Sequence, residues 1–203
     1  MNVVLLHGMG RTSFSMFFLK KRLASKGLKP STFGYLATLE SFNGCVQRLV
    51  AHLQKTIGEE PYILVGHSLG AVLIRAALPQ LFLSPPKACF FLAPPSKAAK
   101  VAMFLSGSWL YRRLTGEMGQ LLAQSSFMSS LPIPTMPVKI YAGIAGPTGA
   151  WSPFGYEPND GVLTLAEVKG ALTFPVVLVP TLHTWIMNSR VVAEDIVKTV
   201  GQL

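Results

Sequence analysis

The sequence predicts a doubly wound α/β domain, a mostly parallel sheet of about six strands with helices on both faces and right-handed crossovers. Three observations carry that expectation. Short, near-continuously apolar runs recur along the chain, as strands covered on both faces require. Stretches with helical periodicity alternate with them. The length of 203 residues, half of them hydrophobic and 13% charged, suits one domain with a substantial core and is too short for two ordinary ones.

In chain order, Val3–Leu6 is the first strand, and Ser15–Lys26 reads as a helix stopped by Gly27. Thr32–Leu36 is a weaker strand candidate. The clearest helix carries Phe42, Val46, Leu49, Val50, Leu53 and Ile57 on one face, with Gly58 as its C-terminal cap. Tyr62–Val65 is a strand, and a third helix is expected to start right after Ser68 and end near Pro79. Ala88–Leu92, Val138–Ala142 and Val176–Val179 complete the strands, and a last helix closes the chain. Pro94 to Pro137 carries no strand pattern. It reads as two short amphipathic helices interrupted by Gly107, a cap-like insertion at about residues 95–136 of a single domain. Its apolar residues include Met103, Phe104, Trp109, Leu110 and Leu114, expected mainly as packing and, for a subset, as a substrate pocket (Met103, Phe104 and Trp109) or an interface-seeking surface.

The formal net charge of +9 is concentrated at Lys20, Lys21, Arg22, Lys26 and Lys29, with Arg112 and Arg113 forming a second cluster. No nucleic-acid motif accompanies these cations, so a solvated face is expected, with no nucleic-acid partner. Peripheral contact with an anionic lipid surface remains compatible with them. Cys45 and Cys89 sit in apolar segments and are expected as buried free thiols. No signal peptide is visible and no apolar run approaches the ~18 residues of a membrane span, so a cytoplasmic monomer is expected. The four histidines are dispersed and suggest no metal site, and no cofactor is implied.

The chemistry starts at Gly66-His67-Ser68-Leu69-Gly70, which follows a strand and opens a helix. In that setting Ser68 occupies a strained turn that raises its Oγ above the sheet, and glycines at 66 and 70 avoid collisions across the bend. A serine needs a base and an orienting acid. His67 adjoins the serine and is expected to point away from it. His7 belongs to the first strand end and His52 to the amphipathic helix, which leaves His183, just past the last strand. Only two aspartates exist. Asp195 lies in the C-terminal helix, whereas Asp160 sits in a Pro-Asn-Asp-Gly turn after the Val138–Ala142 strand. Glu157 and Glu167 are the fallback acids. The order Ser, acid, His fits this architecture. The N–H groups of Leu69 and Met9, the latter in "LLHGMGR", are candidates for the oxyanion donors.

With these residues in place, the chain resembles the α/β-hydrolase superfamily, and more closely its small bacterial esterase and lipase members. The carriers are "LLHGMGRTSFSM", "LVGHSLGAVLIR", "LAPP", "PNDGVLTLAEV" and "PTLHTWIM", in order over nearly the whole chain. The resemblance implies Ser68 as nucleophile, Asp160 as acid, His183 as base, and the Met9 and Leu69 amides as oxyanion hole. It also implies a minimal six-stranded sheet without the two N-terminal strands of larger relatives. After "LAPP" the chain runs "SKAAK", where relatives often continue with an Asn and a Gly.

The expected function is hydrolysis of short- to medium-chain carboxylic esters or lipids through an acyl-enzyme. Acyl transfer or thioester cleavage at the same triad is an alternative. A hydrolase-fold protein that only binds a ligand or lipid is another.

Overall fold

The computed structural model describes all 203 residues. Six strands form one sheet, every neighbouring pair parallel: β1 (Asn2–Leu6), β2 (Lys29–Phe33), β3 (Tyr62–His67), β4 (Ala88–Leu92), β5 (Val138–Gly143) and β6 (Val176–Val179), in the spatial order β2-β1-β3-β4-β5-β6. Every residue of β3 and β4 is buried, which is why these strands read as continuous apolar runs.

Alternation along the strands sorts their side chains into two cores. Val4, Leu6, Leu64, Cys89 and Phe91 face a core covered by α2 (Phe42–Thr56) and α3 (Leu69–Ala77). Val3, Leu5, Ile63, Val65 and Phe90 face the opposite core. Met16, Leu19 and Leu23, at and within α1 (Phe17–Ala24), cover that second core together with Val192 and Ile196 of α8 (Arg190–Val200). Both free cysteines are buried.

Most elements lie where the sequence puts them. The edge strand β2 differs, running Lys29–Phe33 and not Thr32–Leu36, with only Phe33 fully buried. An edge strand buries little, so its hydrophobic pattern is faint, and it accommodates Pro30. The first helix begins as a 3-10 turn at Ser13–Met16 and ends two residues before Lys26.

The segment between β4 and β5 carries three helices, not two: α4 (Lys100–Leu105), α5 (Trp109–Leu122) and α6 (Ser125–Ser130). The break at Gly107 falls as expected, and α5 has a further kink at Gly116. A short α7 (Leu165–Lys169), absent from the sequence reading, is set by a capping box between Thr164 and Glu167. No helix is long and apolar enough to cross a membrane.

The strand order places the site. The chain runs from β1 outward to β2, then returns to build β3 on the other side of β1. At such a reversal the connections leave in opposite directions, and a crevice opens at the carboxyl ends of β1 and β3. Leu6 pairs with Gly66 at that edge. The loop after β1 and the turn after β3 therefore emerge side by side.

Candidate active site

Ser68 stands between β3 and α3 with φ 51° and ψ −117°, a conformation that a non-glycine residue adopts only when its surroundings enforce it. Its N–H donates to the Leu92 carbonyl (2.9 Å) and its carbonyl accepts the Ala71 N–H (3.0 Å), anchoring the turn on both sides. The two glycines have separate reasons. A Cβ at Gly66 would lie 2.6 Å from the Ala71 nitrogen, across the bend. One at Gly70 would lie 2.7 Å from the Leu6 and His7 carbonyl oxygens, so Gly70 serves the approach of the helix to β1 and not the bend itself.

His183 is brought to Ser68 from the other end of the sheet, on a 3-10 turn at His183–Asn188 that follows β6. Its Nε2 lies 3.0 Å from Ser68 Oγ, and its Nδ1 lies 2.7 Å from Asp160 Oδ2. A carboxylate only accepts, so Nδ1 carries the hydrogen and Nε2 is left to accept the serine O–H. Asp160 is doubly fixed: its Oδ1 accepts the N–H groups of Val162 (2.9 Å) and Leu163 (2.7 Å). The turn thus orients the carboxylate, and turn and acid are one feature. Backbone links join acid and base as well, because His183 N–H donates to the Asp160 carbonyl (2.9 Å). Asp160 and His183 are buried, while Ser68, at the end of the row, is half-buried.

The remaining candidates are accounted for. Asp195 pairs with Lys139 (2.7 Å) and accepts the Tyr141 hydroxyl (2.8 Å), away from the serine. Glu157 accepts the Ala166 N–H and lies 3.6 Å from Lys100 Nζ. Glu167 is fully buried, accepting the N–H groups of Thr164 and Lys100. His52 is half-buried on α2 against Phe33. Gly8 brings the β1 loop onto the serine turn, where a Cβ would lie 3.2 Å from Ser68 Cβ. Met9 follows it, partly buried against the core, and Leu69 is the first residue of α3. Met103, Phe104 and Trp109 are half or more exposed, on the outside of the insertion.

Three functional details escaped the sequence. His67 does point away from Ser68, but it is bound into the site from beneath: its Nε2 lies 3.0 Å from the His183 carbonyl oxygen. Burial first, and the neighbouring His183 second, hold its pKa well below the ordinary 6.5. A neutral His67 facing a carbonyl must donate from Nε2, so it steadies the backbone of the base. His7 is likewise held neutral by burial, stacked on Tyr35 (4.1 Å between ring centres), whose hydroxyl donates to the His7 carbonyl (2.6 Å). Arg75, buried on α3, donates to the carbonyls of Leu131 (2.9 Å) and Pro132 (3.1 Å) and so ties down the returning end of the insertion. No group of three or more His, Cys, Asp or Glu side chains is arranged to hold a metal ion.

Comparison with known proteins bears on this geometry. A model of the alpha/beta hydrolase family matches residues 3–195. No curated protein matches the chain. Among solved structures, the mature lipase BlEst2 of Bacillus licheniformis superposes with a TM-score of 0.76 at 17% identity, covering 98% of this chain and 91% of that one. The thioesterase RedJ of the prodiginine pathway in Streptomyces coelicolor gives 0.65 at 15% identity, covering 99% and 84%. An extracellular alpha/beta-hydrolase from a Paenibacillus species gives 0.66 at 16% identity, covering 98% of both. At such identities the likeness is one of fold.

Proposed function

The chain belongs to the alpha/beta hydrolase family, and we propose that it is a serine hydrolase cleaving carboxylic esters through an acyl-enzyme on Ser68. The observation that carries this reading is the unbroken row from Ser68 Oγ to His183 Nε2 (3.0 Å) and from His183 Nδ1 to Asp160 Oδ2 (2.7 Å).

In the first half-reaction His183 Nε2 takes the Ser68 proton as Oγ bonds to the ester carbonyl carbon. The carbonyl π pair moves onto oxygen, and that oxyanion is received by the N–H groups of Met9 and Leu69. Donors so placed contribute about 3–4 kcal/mol each. Asp160 holds Nδ1–H and stabilises the imidazolium. Collapse of the tetrahedral species breaks the bond to the alcohol, which leaves with the proton from His183 Nε2. Water, deprotonated by the same nitrogen, then attacks the acyl-enzyme and restores Ser68.

Residues 95–136 act as a cap over this single catalytic domain, and Met9 contributes its side chain to an acyl pocket of short to medium length. The same steps open a thioester or pass the acyl group to an alcohol, and the likeness to a thioesterase makes a thioester the first competitor to assay. A protein that only binds ligand has no need of a complete, buried acid–base pair beneath the serine.

The test is hydrolysis of p-nitrophenyl esters of graded chain length beside an acyl thioester, in wild type and Ser68→Ala. Ester turnover that vanishes in the variant is expected. Turnover retained by Ser68→Ala refutes the nucleophile, and thioester cleavage outrunning every ester moves the substrate class.

A further inference from the structure

The insertion leaves β4 at the same end of the sheet as Ser68 and opens with α4 and α5, which form a helical hairpin around Gly107. This hairpin inverts the usual rule of burial. Ala102 is the only buried residue of α4. The buried residues of α5, Met118, Gly119 and Leu122, all lie beyond the kink at Gly116. Phe104 and Trp109 are 87% and 73% exposed, with Met103, Leu110 and Leu114 half exposed or more. The patch continues beyond the hairpin: the Thr38 hydroxyl donates to the Leu114 carbonyl (2.8 Å), which sets the hairpin beside the β2–α2 loop and its 80% exposed Leu39. Exposed apolar side chains gathered on one hairpin in this way mark a surface that meets a partner.

The charges on the same segment select that partner. From Lys97 to Gly116 the chain carries Lys97, Lys100, Arg112 and Arg113 and no carboxylate. Lys100 is exposed beside Glu157 (3.6 Å), while Arg112 and Arg113 are exposed and pair with no carboxylate. A second copy of the chain would bring the same cations against these, within a molecule of net charge +9. A nucleic acid would satisfy the cations and leave the Phe, Leu and Met side chains without an apolar partner. An anionic bilayer satisfies both, with phosphates for the cations and an acyl boundary for the apolar tip. An indole is favoured at that depth, and basic stems reach outward from it.

We propose that the α4–α5 hairpin docks this protein on anionic phospholipid bilayers, with Phe104 and Trp109 entering the interface and Arg112 and Arg113 on the headgroups. The hairpin and Ser68 lie at the same end of the sheet, so docking brings the serine end of the protein to the lipid. Docking itself does not depend on the chemistry at Ser68, so it is measured in Ser68→Ala protein.

Co-sedimentation with vesicles of phosphatidylcholine alone, and of phosphatidylcholine mixed equally with phosphatidylglycerol, provides the test at low salt. Binding to the anionic vesicles is expected to exceed binding to the neutral ones at least tenfold. Arg112→Gln with Arg113→Gln should lower it roughly thirtyfold, the equivalent of about 1 kcal/mol per cation. Phe104→Ser with Trp109→Ser should lower it tenfold or more, at an unchanged melting temperature since both side chains are exposed. No sedimentation with either vesicle overturns the proposal, as does full binding by the Phe104/Trp109 variant. A concentration-dependent dimer abolished by that variant would also overturn it and assign the face to a second copy.

Discussion

The strand-end rim around Ser68 and the hairpin that rises beside it differ in what fixes each side chain. At the rim every functional group has at least two anchors. Asp160 accepts two backbone N–H groups besides the His183 ring, and His183 is held at its N–H, its carbonyl and both ring nitrogens. In the hairpin Met103, Phe104, Trp109, Leu110 and Leu114 stand in solvent, and its ties to the body lie in the backbone and at its base: the Lys100 N–H to Glu167, the Lys100–Glu157 pair and the Thr38 hydroxyl to the Leu114 carbonyl. Over-determination suits chemistry, where a misplacement of an ångström is costly. An unanchored apolar surface suits contact with something outside the chain.

The contrast can be broken in graded steps. The largest effect is expected at the rim: Asp160→Asn should lower kcat on the order of 10³–10⁴-fold, because the amide no longer fixes the His183 tautomer. Steady-state kinetics with a soluble ester would show it, while Glu157→Gln should leave the rate within a fewfold of wild type. If Glu157→Gln carried the larger loss, the acid would be misassigned.

Where the two regions join, Arg75→Met should destabilise the protein by about 2–3 kcal/mol. It removes charge-assisted bonds to the Leu131 and Pro132 carbonyls and leaves one buried and one half-buried acceptor unpaired. Chemical denaturation reads this directly, and a loss below about 0.5 kcal/mol would mean that the insertion is held some other way.

Acid should act through the rim. His7 and His67 both have folded pKa values below the ordinary 6.5, so below that pH the unfolded chain binds more protons than the folded one. Stability is therefore complete above about pH 6.5 and declines as the pH falls toward the folded values. Melting temperatures measured between about pH 8 and pH 5 should fall along that limb, and a flat profile would contradict the buried, neutral histidines. The smallest effect belongs to the hairpin, where Phe104→Ser should change stability by no more than about 0.5 kcal/mol, since the ring buries little.

The rim was largely legible in the sequence, and the reason is scarcity joined to periodicity. Two aspartates and four histidines leave few combinations, and β3 and β4 announce themselves because helices cover both faces. Asp160 was readable because Asn-Asp-Gly demands a turn, and a turn is where its carboxylate is aimed. What escaped depends on contacts between distant segments. Nothing in "GHSLG" says that His67 will meet the carbonyl of residue 183, or that Arg75 will reach residues 131 and 132. Ala93, held at φ 46° where β4 ends, has no sequence mark at all. The hairpin failed differently: periodicity gives which residues share a face, and only packing says whether that face finds a partner. Met103, Phe104 and Trp109 read as core, pocket or interface alike, and they stand exposed.

The central claim, that Ser68 is the nucleophile raised by its turn, is tested most directly by labelling with a fluorophosphonate and mapping the adduct by peptide mass spectrometry. The account predicts one adduct per chain, on Ser68, formed quickly in wild type, slowly in Asp160→Asn and not at all in Ser68→Ala. An adduct on another residue, or none in wild type, would contradict it.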